Sequence, residues 1–464
     1  MLKHAKILTY IIDRNCLVAV DNDIFDELAR VKESVAKALD SAKRHGASSA
    51  EVSMSKQTGL CVSTRLREVE TVEFNHDGAL GISVYCGNRK GSSSTSDLSE
   101  SAIESAVKAA ISIAKHTSED PYNGLADADL MVTNPPDLDL YHPGSLDPQF
   151  AIEQALAAED AALSYSEEIT NSDGASYNSH QGLRVYGNSH GLLEGYPSTR
   201  HSLSCVTIGE RNGEMERDYD YAVSRYPNKL GSPKLIGEKA AQHTIDRLGA
   251  RKLETMTVPV VIDASLSAGF IGHLVSAIGG GSLYRKASFL LDRKGEQIFP
   301  SWLSIEEKPH LKGYLASTPF DHEGLATKDL TVIDNGVLAS YLITSYAGRK
   351  LNMQPTGHAG GTHTWLVNNT VAEQSELLKQ MGTGLLVTDL MGSSVNIITG
   401  DYSRGAAGFW VENGVIQYPV HEITIAGNLN DMYKNIVAIS GDVDERKSTL
   451  CGSILLEEMK VAGN

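Results

Sequence analysis

What most limits the folds open to this chain is a pattern between residues 24 and 116, in which two amphipathic helices bracket a set of short alternating runs. Residues 24 to 44 place Ile24, Leu28, Val31, Val35, Ala38, Leu39 and Ala42 three or four apart, the spacing of one apolar helix face. The runs AEVSMSK, GLCVSTR, REVETVEFN and ALGISVYC follow, with HDG and GNRKG as turns, then SSSTSD, and together they read as an antiparallel meander. Leu98 to His116 closes the unit with a second helix, for which Ser99 offers an N-cap followed by acidic residues in the first turn.

After a loop rich in Pro and Asp, residues 118 to 148, the same order returns. A helix is expected from about 148 to 164, then strand-like runs from ITNSDGASYNS to MERDYDYAVSR, then a helix near 235 to 248. The element order predicts two helix, meander, helix units, 24–117 and 147–250, side by side in an N-terminal domain. From 252 to 464 the chain is strand-rich, and its alternating runs turn about Asn335-Gly336 and Asn413-Gly414, dipeptides that favour tight hairpins. The strong helices here are 265 to 278 and roughly 372 to 381. The expected fold class is therefore α+β: a duplicated helix and meander region followed by a strand-rich, barrel-like C-terminal domain. Residues 1–23 follow no clear pattern and read as an extension.

Composition removes some functions. The 464 residues are 41% hydrophobic and 21% charged, a globular balance, and 41 Lys plus Arg against 58 Asp plus Glu leave a net charge of −17. Such a surface repels nucleic acid and anionic membranes. Five dispersed cysteines, Cys16, Cys61, Cys86, Cys205 and Cys451, form no CxxC pair, a usage suited to a reducing cytosol. The N-terminal apolar run is interrupted by Asp13 and Arg14 before it reaches the length of a signal peptide or a spanning helix. A cytoplasmic protein is expected.

Several motifs can be weighed on residue chemistry. GNSHG, Gly187 to Gly191, matches G-x-S-x-G, but strand-like runs flank it where a nucleophile turn needs a strand and a helix, so Ser189 reads as structural. The His-Glu pairs His322-Glu323 and His421-Glu422 have no histidine four or five residues further on. In GHAGGTH, His358 and His363 form a metal site only if a carboxylate or thiol arrives from elsewhere in the chain. There is no GxxxxGK[ST], and the glycines at 279 to 281 follow a helix, so they read as a helix stop and not as a phosphate loop. The helix before them, SAGFIGHLVSAI, carries His273 beside an apolar face made by Phe270, Leu274, Ala277 and Ile278.

Longer blocks carry a resemblance. VSTRLREVETVEFNHDGALGISVYCGNRKGSSSTSDLS, GHLVSAIGGGSLYRKASFLLD, LASTPFDHEG, TGHAGG, ITGDYSRGAAGFWVENGVIQYPVHEITIAGNL and CGSILLEEMKVAG resemble, in order, segments of the PmbA (TldE) branch of the TldD/PmbA metalloprotease family, formerly called modulators of DNA gyrase. The resemblance runs from about residue 24 to the C-terminus and leaves the N-terminal extension unmatched. It implies a cytosolic zinc protease of two related subunits, acting on unfolded or extended peptides such as a microcin precursor or an antitoxin. The TldD-type subunit carries HExxxH on a helix and a metal-binding cysteine near its C-terminus, with the glutamate as general base.

Laid on this chain, the first histidine falls on His273, the glutamate position holds Leu274, the second histidine position holds Ile278, and Cys451 falls near the cysteine. Leucine takes no proton from water and isoleucine has no lone pair. The resemblance thus implies a degenerate metal site, no zinc bound by this chain, zinc in a TldD-type partner, and a heterodimer, with a homodimer when the chain is alone. The competing readings are a peptidase active by itself through His358, His363 and Cys451, and a regulatory binding protein with no protease partner.

Overall fold

Helix α1 (Ile24–Arg44) lays its apolar face on a six-stranded antiparallel sheet in the computed structural model, which describes residues 24–463. The proposed extension, 1–23, lies outside the described residues. The strands β1 (Ser49–Arg65), β2 (Glu68–Cys86), β3 (Arg89–Thr95), β4 (Ile169–Asn188), β5 (Leu193–Arg211) and β6 (Glu214–Ser224) run in the order β3-β2-β1-β4-β5-β6. The two meanders therefore join edge to edge through β1 and β4.

Helices α1 and α2 (Glu100–His116) bury Ala50, Val52 and Met54 of β1, and helices α3 (Pro148–Leu163) and α4 (Pro233–Arg247) bury Leu60 and Val62 further along the same strand. These residues are all even-numbered, so period-two alternation puts every helix on one face of the sheet.

The strands are longer than the turn residues predicted. HDG lies inside β2, where Asp77 pairs with Gln57 and Gly78 with Lys56, because β1 continues opposite and supplies a partner for the ladder. The reversal occurs instead at Leu66 and Arg67, both non-glycine with φ of 52° and 65°. Their backbone N–H groups donate to the fully buried carboxylate of Glu159, at 2.7 and 3.1 Å, which offsets the cost of the left-handed backbone.

The C-terminal half continues with β7 (Met256–Ile262), α5 (Ala264–Ile278), α6 (Gly280–Tyr284), β8 (Ile305–Glu307), β9 (Leu330–Asp334), β10 (Val337–Leu338) and α7 (Ser345–Leu351). Then come β11 (Trp365–Val367), α8 (Gln374–Met381), β12 (Gly384–Met391), β13 (Asp401–Glu412), β14 (Val415–Asn428), α9 (Leu429–Lys434), β15 (Ile436–Ile439), β16 (Thr449–Leu450) and β17 (Ile454–Ala462). Strands β14-β13-β12-β7-β17 form a closed five-stranded barrel, because β14 pairs with β17, and β15 adds to the outer end of β17.

Along β7, Val260 and Ile262 face the cluster that contains Phe270, Leu274 and Ile278 of α5, while Val261 faces Leu377, Leu378 and Met381 of α8. A smaller sheet, β10-β9-β8-β11-β16, packs into the same core as α5. Both Asn-Gly dipeptides form the expected turns, with positive φ at Asn335, Gly336, Asn413 and Gly414. The glycine run departs from its expected role. It stops α5 at Gly279, but Gly280 then opens α6, where a Cβ would stand 2.6 Å from that of Ala347, so the glycine permits a close crossing of α6 and α7.

Candidate functional site

Helix α5 begins at Asp263, whose carboxylate accepts the N–H of Ser265 at 2.9 Å, and runs unbroken to Ile278. Leu274 and Ile278 are both 0% exposed and belong to the apolar core. His273 sits on the flank of that face, edge-on to Tyr402 with ring centroids 5.7 Å apart, and its buried Nε2 has no hydrogen-bond partner. Burial, helped by the charge of Arg404, holds its pKa below the usual histidine range, so the ring is neutral. Cys451 is buried beside the first half of the helix, where the Ser267 hydroxyl donates to the Cys451 carbonyl at 2.7 Å. Ser267 lies six residues before His273, roughly 9 Å of helical rise. Burial pushes the Cys451 thiol up to about 12, which keeps it protonated.

The histidine loop comes together differently from the sequence reading. In GHAGGTH, Gly357, Gly360 and Gly361 have φ of 78°, 99° and 129°, and a Cβ at Gly360 would stand 2.4 Å from the ring of His322. That freedom lets the loop fold His358 and His363 onto each other, ring centroids 5.3 Å apart. The third member is Glu307 of β8 and not Cys451. Among the described residues these three form the one group of three or more His, Cys, Asp and Glu whose ligand atoms all lie within 4.8 Å of one another.

Glu307 is 0% exposed. Its Oε1 accepts the backbone N–H of His363 at 2.7 Å and the indole N–H of Trp365 at 2.9 Å, and its Oε2 meets Nε2 of His358. No spacing in the sequence points to Glu307, which precedes His358 by 51 positions. Pairing of Glu307 with Trp365 between β8 and β11 brings it in.

Other motif residues resolve into structural roles. Ser189 lies in the β4–β5 turn and bonds both backbone groups of Ala50, accepting from N at 2.6 Å and donating to O at 3.0 Å. His421 meets Glu216 across the two halves of the chain at 3.2 Å, and the Glu422 carboxylate pairs with Lys252 at 2.7 Å.

A cleft of about 1360 Å³ runs between β6 and α4 on one side and the start of α5 and the 442–447 loop on the other. β6 is the edge strand of its sheet. Arg446 bridges the cleft wall, donating to Asp220 and to the Tyr221 carbonyl, each at 2.8 Å, and its guanidinium stacks over the Tyr221 ring. Arg247 pairs with Asp218 and Asp389, both at 3.1 Å. No described helix is long and apolar enough to cross a membrane.

Comparison with known proteins places these features in a family. Residues 50–114, 141–248 and 255–463 match the models for PmbA/TldA metallopeptidase domain 1, central domain and C-terminal domain. The chain is 57% identical over 435 residues to the metalloprotease PmbA homolog of Haemophilus influenzae, covering 94% of this chain and 96% of that one. It is 55% identical over 435 residues to the metalloprotease PmbA of Escherichia coli O157:H7, covering 93% and 96%. Among solved structures, a candidate modulator of DNA gyrase from Bacteroides thetaiotaomicron superposes with a TM-score of 0.89 at 30% identity, covering 94% of this chain and 99% of that one. TldE from Thermococcus kodakarensis shares the fold with a TM-score of 0.82 at 19% identity, over 93% and 100% of the two chains. By three matched domains and by relatives aligned along nearly their whole length, the chain belongs to the PmbA/TldD family of metallopeptidases.

Proposed function

We propose that this chain is the TldE-type, non-catalytic subunit of a cytoplasmic two-subunit zinc peptidase, in which a TldD-type partner supplies the metal and the general base. The observation that carries this reading is the burial of Leu274 and Ile278, each 0% exposed in an apolar core, at the positions where the partner pattern has glutamate and histidine. A buried leucine cannot accept a proton from water, and neither side chain offers zinc a lone pair. His273 and Cys451 would give a zinc ion two ligands at most, and the Cys451 backbone is held by Ser267, six residues before His273 on the helix.

This chain would then contribute fold, subunit contact and substrate enclosure. The cleft beside β6 has room for several residues of extended polypeptide, and its walls carry both signs of charge, from Asp263 and Asp444 to Lys239 and Lys312, which suits substrates of mixed sequence. Duplicated subunits tend to keep one contact surface, so the chain by itself is expected to form a homodimer.

The test is peptide hydrolysis with the chain alone, the TldD-type subunit alone and the two mixed. An extended peptide should be cleaved by the mixture, which should co-purify as a complex, and not by this chain at any concentration. Hydrolysis by this chain alone, lost on chelation, would overturn the reading.

A further inference from the structure

The buried contact between His358 and Glu307 poses a question of lone pairs. Nδ1 of His358 lies 2.8 Å from Oγ1 of Thr356. That hydroxyl also stands 3.3 Å from the Ile343 carbonyl, which can take its hydrogen, and accepts the Ile343 N–H at 2.7 Å. With the Thr356 hydrogen on the Ile343 carbonyl, Nδ1 of His358 is the N–H donor and Nε2 offers a lone pair; with that hydrogen turned onto Nδ1, Nε2 carries the proton. In either arrangement Nε2 faces Oε2 of Glu307, a carboxylate oxygen. In the first arrangement two lone pairs meet in a buried site and need a proton or a metal cation between them; in the second the proton is already there and a metal would displace it.

His363 adds a third donor. Its Nε2 donates to the Gly357 carbonyl at 3.0 Å, which leaves Nδ1 with a free lone pair and fixes the ring, as a backbone carbonyl does for metal-bound histidines. The Trp365 indole and the His363 N–H both hold Oε1 of Glu307, leaving Oε2 for an ion. Ligands of one tetrahedral zinc at about 2.0–2.2 Å stand roughly 3.3 Å apart, and the three ligand atoms here already lie within 4.8 Å of one another.

We propose that Glu307, His358 and His363 form a structural binding site for a divalent transition-metal cation of the zinc class. Two imidazole nitrogens and one carboxylate oxygen suit zinc better than magnesium or calcium, which prefer oxygen ligands throughout. The three residues are 0%, 6% and 5% exposed, so a peptide has no access to the ion. Its work would be to pin the glycine-rich loop to β8. This site lies outside the α5 region and is independent of the proposed catalytic silence of the chain, which fails on hydrolysis and not on metal content.

The experiment uses the full chain, stripped with a chelator and dialysed against zinc or cobalt(II), with bound metal counted by mass spectrometry. One zinc per chain is expected. The cobalt form should show the visible bands of a tetrahedral nitrogen and oxygen site without a thiolate charge-transfer band, and chelation should lower the melting temperature. His363→Gln should abolish binding, while His273→Gln and Cys451→Ser should retain it. If His363→Gln does not fold, the cobalt spectrum and the chelator-dependent melting shift of the unmodified chain decide the matter. A chain that takes up no metal and melts identically with and without chelator would overturn the proposal and leave a proton between His358 and Glu307. Metal lost on Cys451→Ser but kept on His363→Gln would also overturn it.

Discussion

At the scale of single residues, the proposed loss of a metal site at His273, Leu274 and Ile278 has a direct test. Rebuilding HExxxH by Leu274→Glu with Ile278→His tests whether the helix was ever arranged for metal. In a regular helix, positions five apart point about 140° away from each other, and α5 has no break between 273 and 278. Both substitutions place polar groups where the wild-type side chains are 0% exposed. The double variant is therefore expected to bind no more zinc than the parent chain and to lose roughly 1–3 kcal/mol per unpaired group. Zinc counts and urea unfolding check both halves, and a further equivalent of bound zinc would refute the geometric argument.

At the scale of elements, α3 and α4 meet along a seam of small residues: Ala151, Ala155, Ala158 and Ala162 face Gly237, Ala240 and Ala241. A Cβ at Gly237 would stand 1.9 Å from the carbonyl oxygen of Ala158, which is backbone and cannot rotate away. Gly237→Ala must push the helices apart, and an overpacking cost of about 1–3 kcal/mol is expected. Gly269 of α5 is the control, since a Cβ there meets nothing within 4 Å. Gly269→Ala should stabilise the protein by roughly 0.5–1 kcal/mol, through helix propensity. Chemical unfolding of the two variants should therefore move the midpoint in opposite directions, and equal shifts would mean that the seam is not tightly packed.

At the scale of the whole molecule, stability is tied to the protonation of buried rings. Desolvation lowers the pKa of His180, His201 and His273 from the ordinary histidine value. For each, the unfolded chain takes up a proton as pH falls through about 6.5, while the native state refuses it until lower pH, so the stability present above that value is lost on acidification. Asp321 acts in the opposite sense: burial raises its carboxyl to about 6, so the native state takes up that proton first. His310 and His322 are held low as well, His322 at about 4, so the lowered histidines stand together against one aspartate over the shared window. The melting temperature should fall between about pH 7 and about pH 5 and fall less steeply in His201→Gln, as a pH series of thermal melts would show. A flat profile in the parent chain would contradict the assignment of neutral buried rings.

The helices at 24–44 and 265–278, the two Asn-Gly hairpins and the duplicated order of elements were legible in sequence. Apolar periodicity and turn chemistry are local properties, decided by residues within a few positions of one another. That Leu274 and Ile278 offer neither a base nor a metal ligand was legible for the same reason, because a side chain without a lone pair has none in any fold. Strand length was not legible: HDG runs straight because β1 continues opposite it, and the chain reverses at Leu66 and Arg67 because Glu159 accepts their N–H groups from 92 or 93 positions away. Closure of the barrel rests on β14 meeting β17, and the partnership of Glu307 with His358 and His363 rests on β8 meeting β11. Such meetings are set by which distant surfaces bury each other, and a carboxylate becomes a neighbour of two imidazoles only once that burial has been chosen.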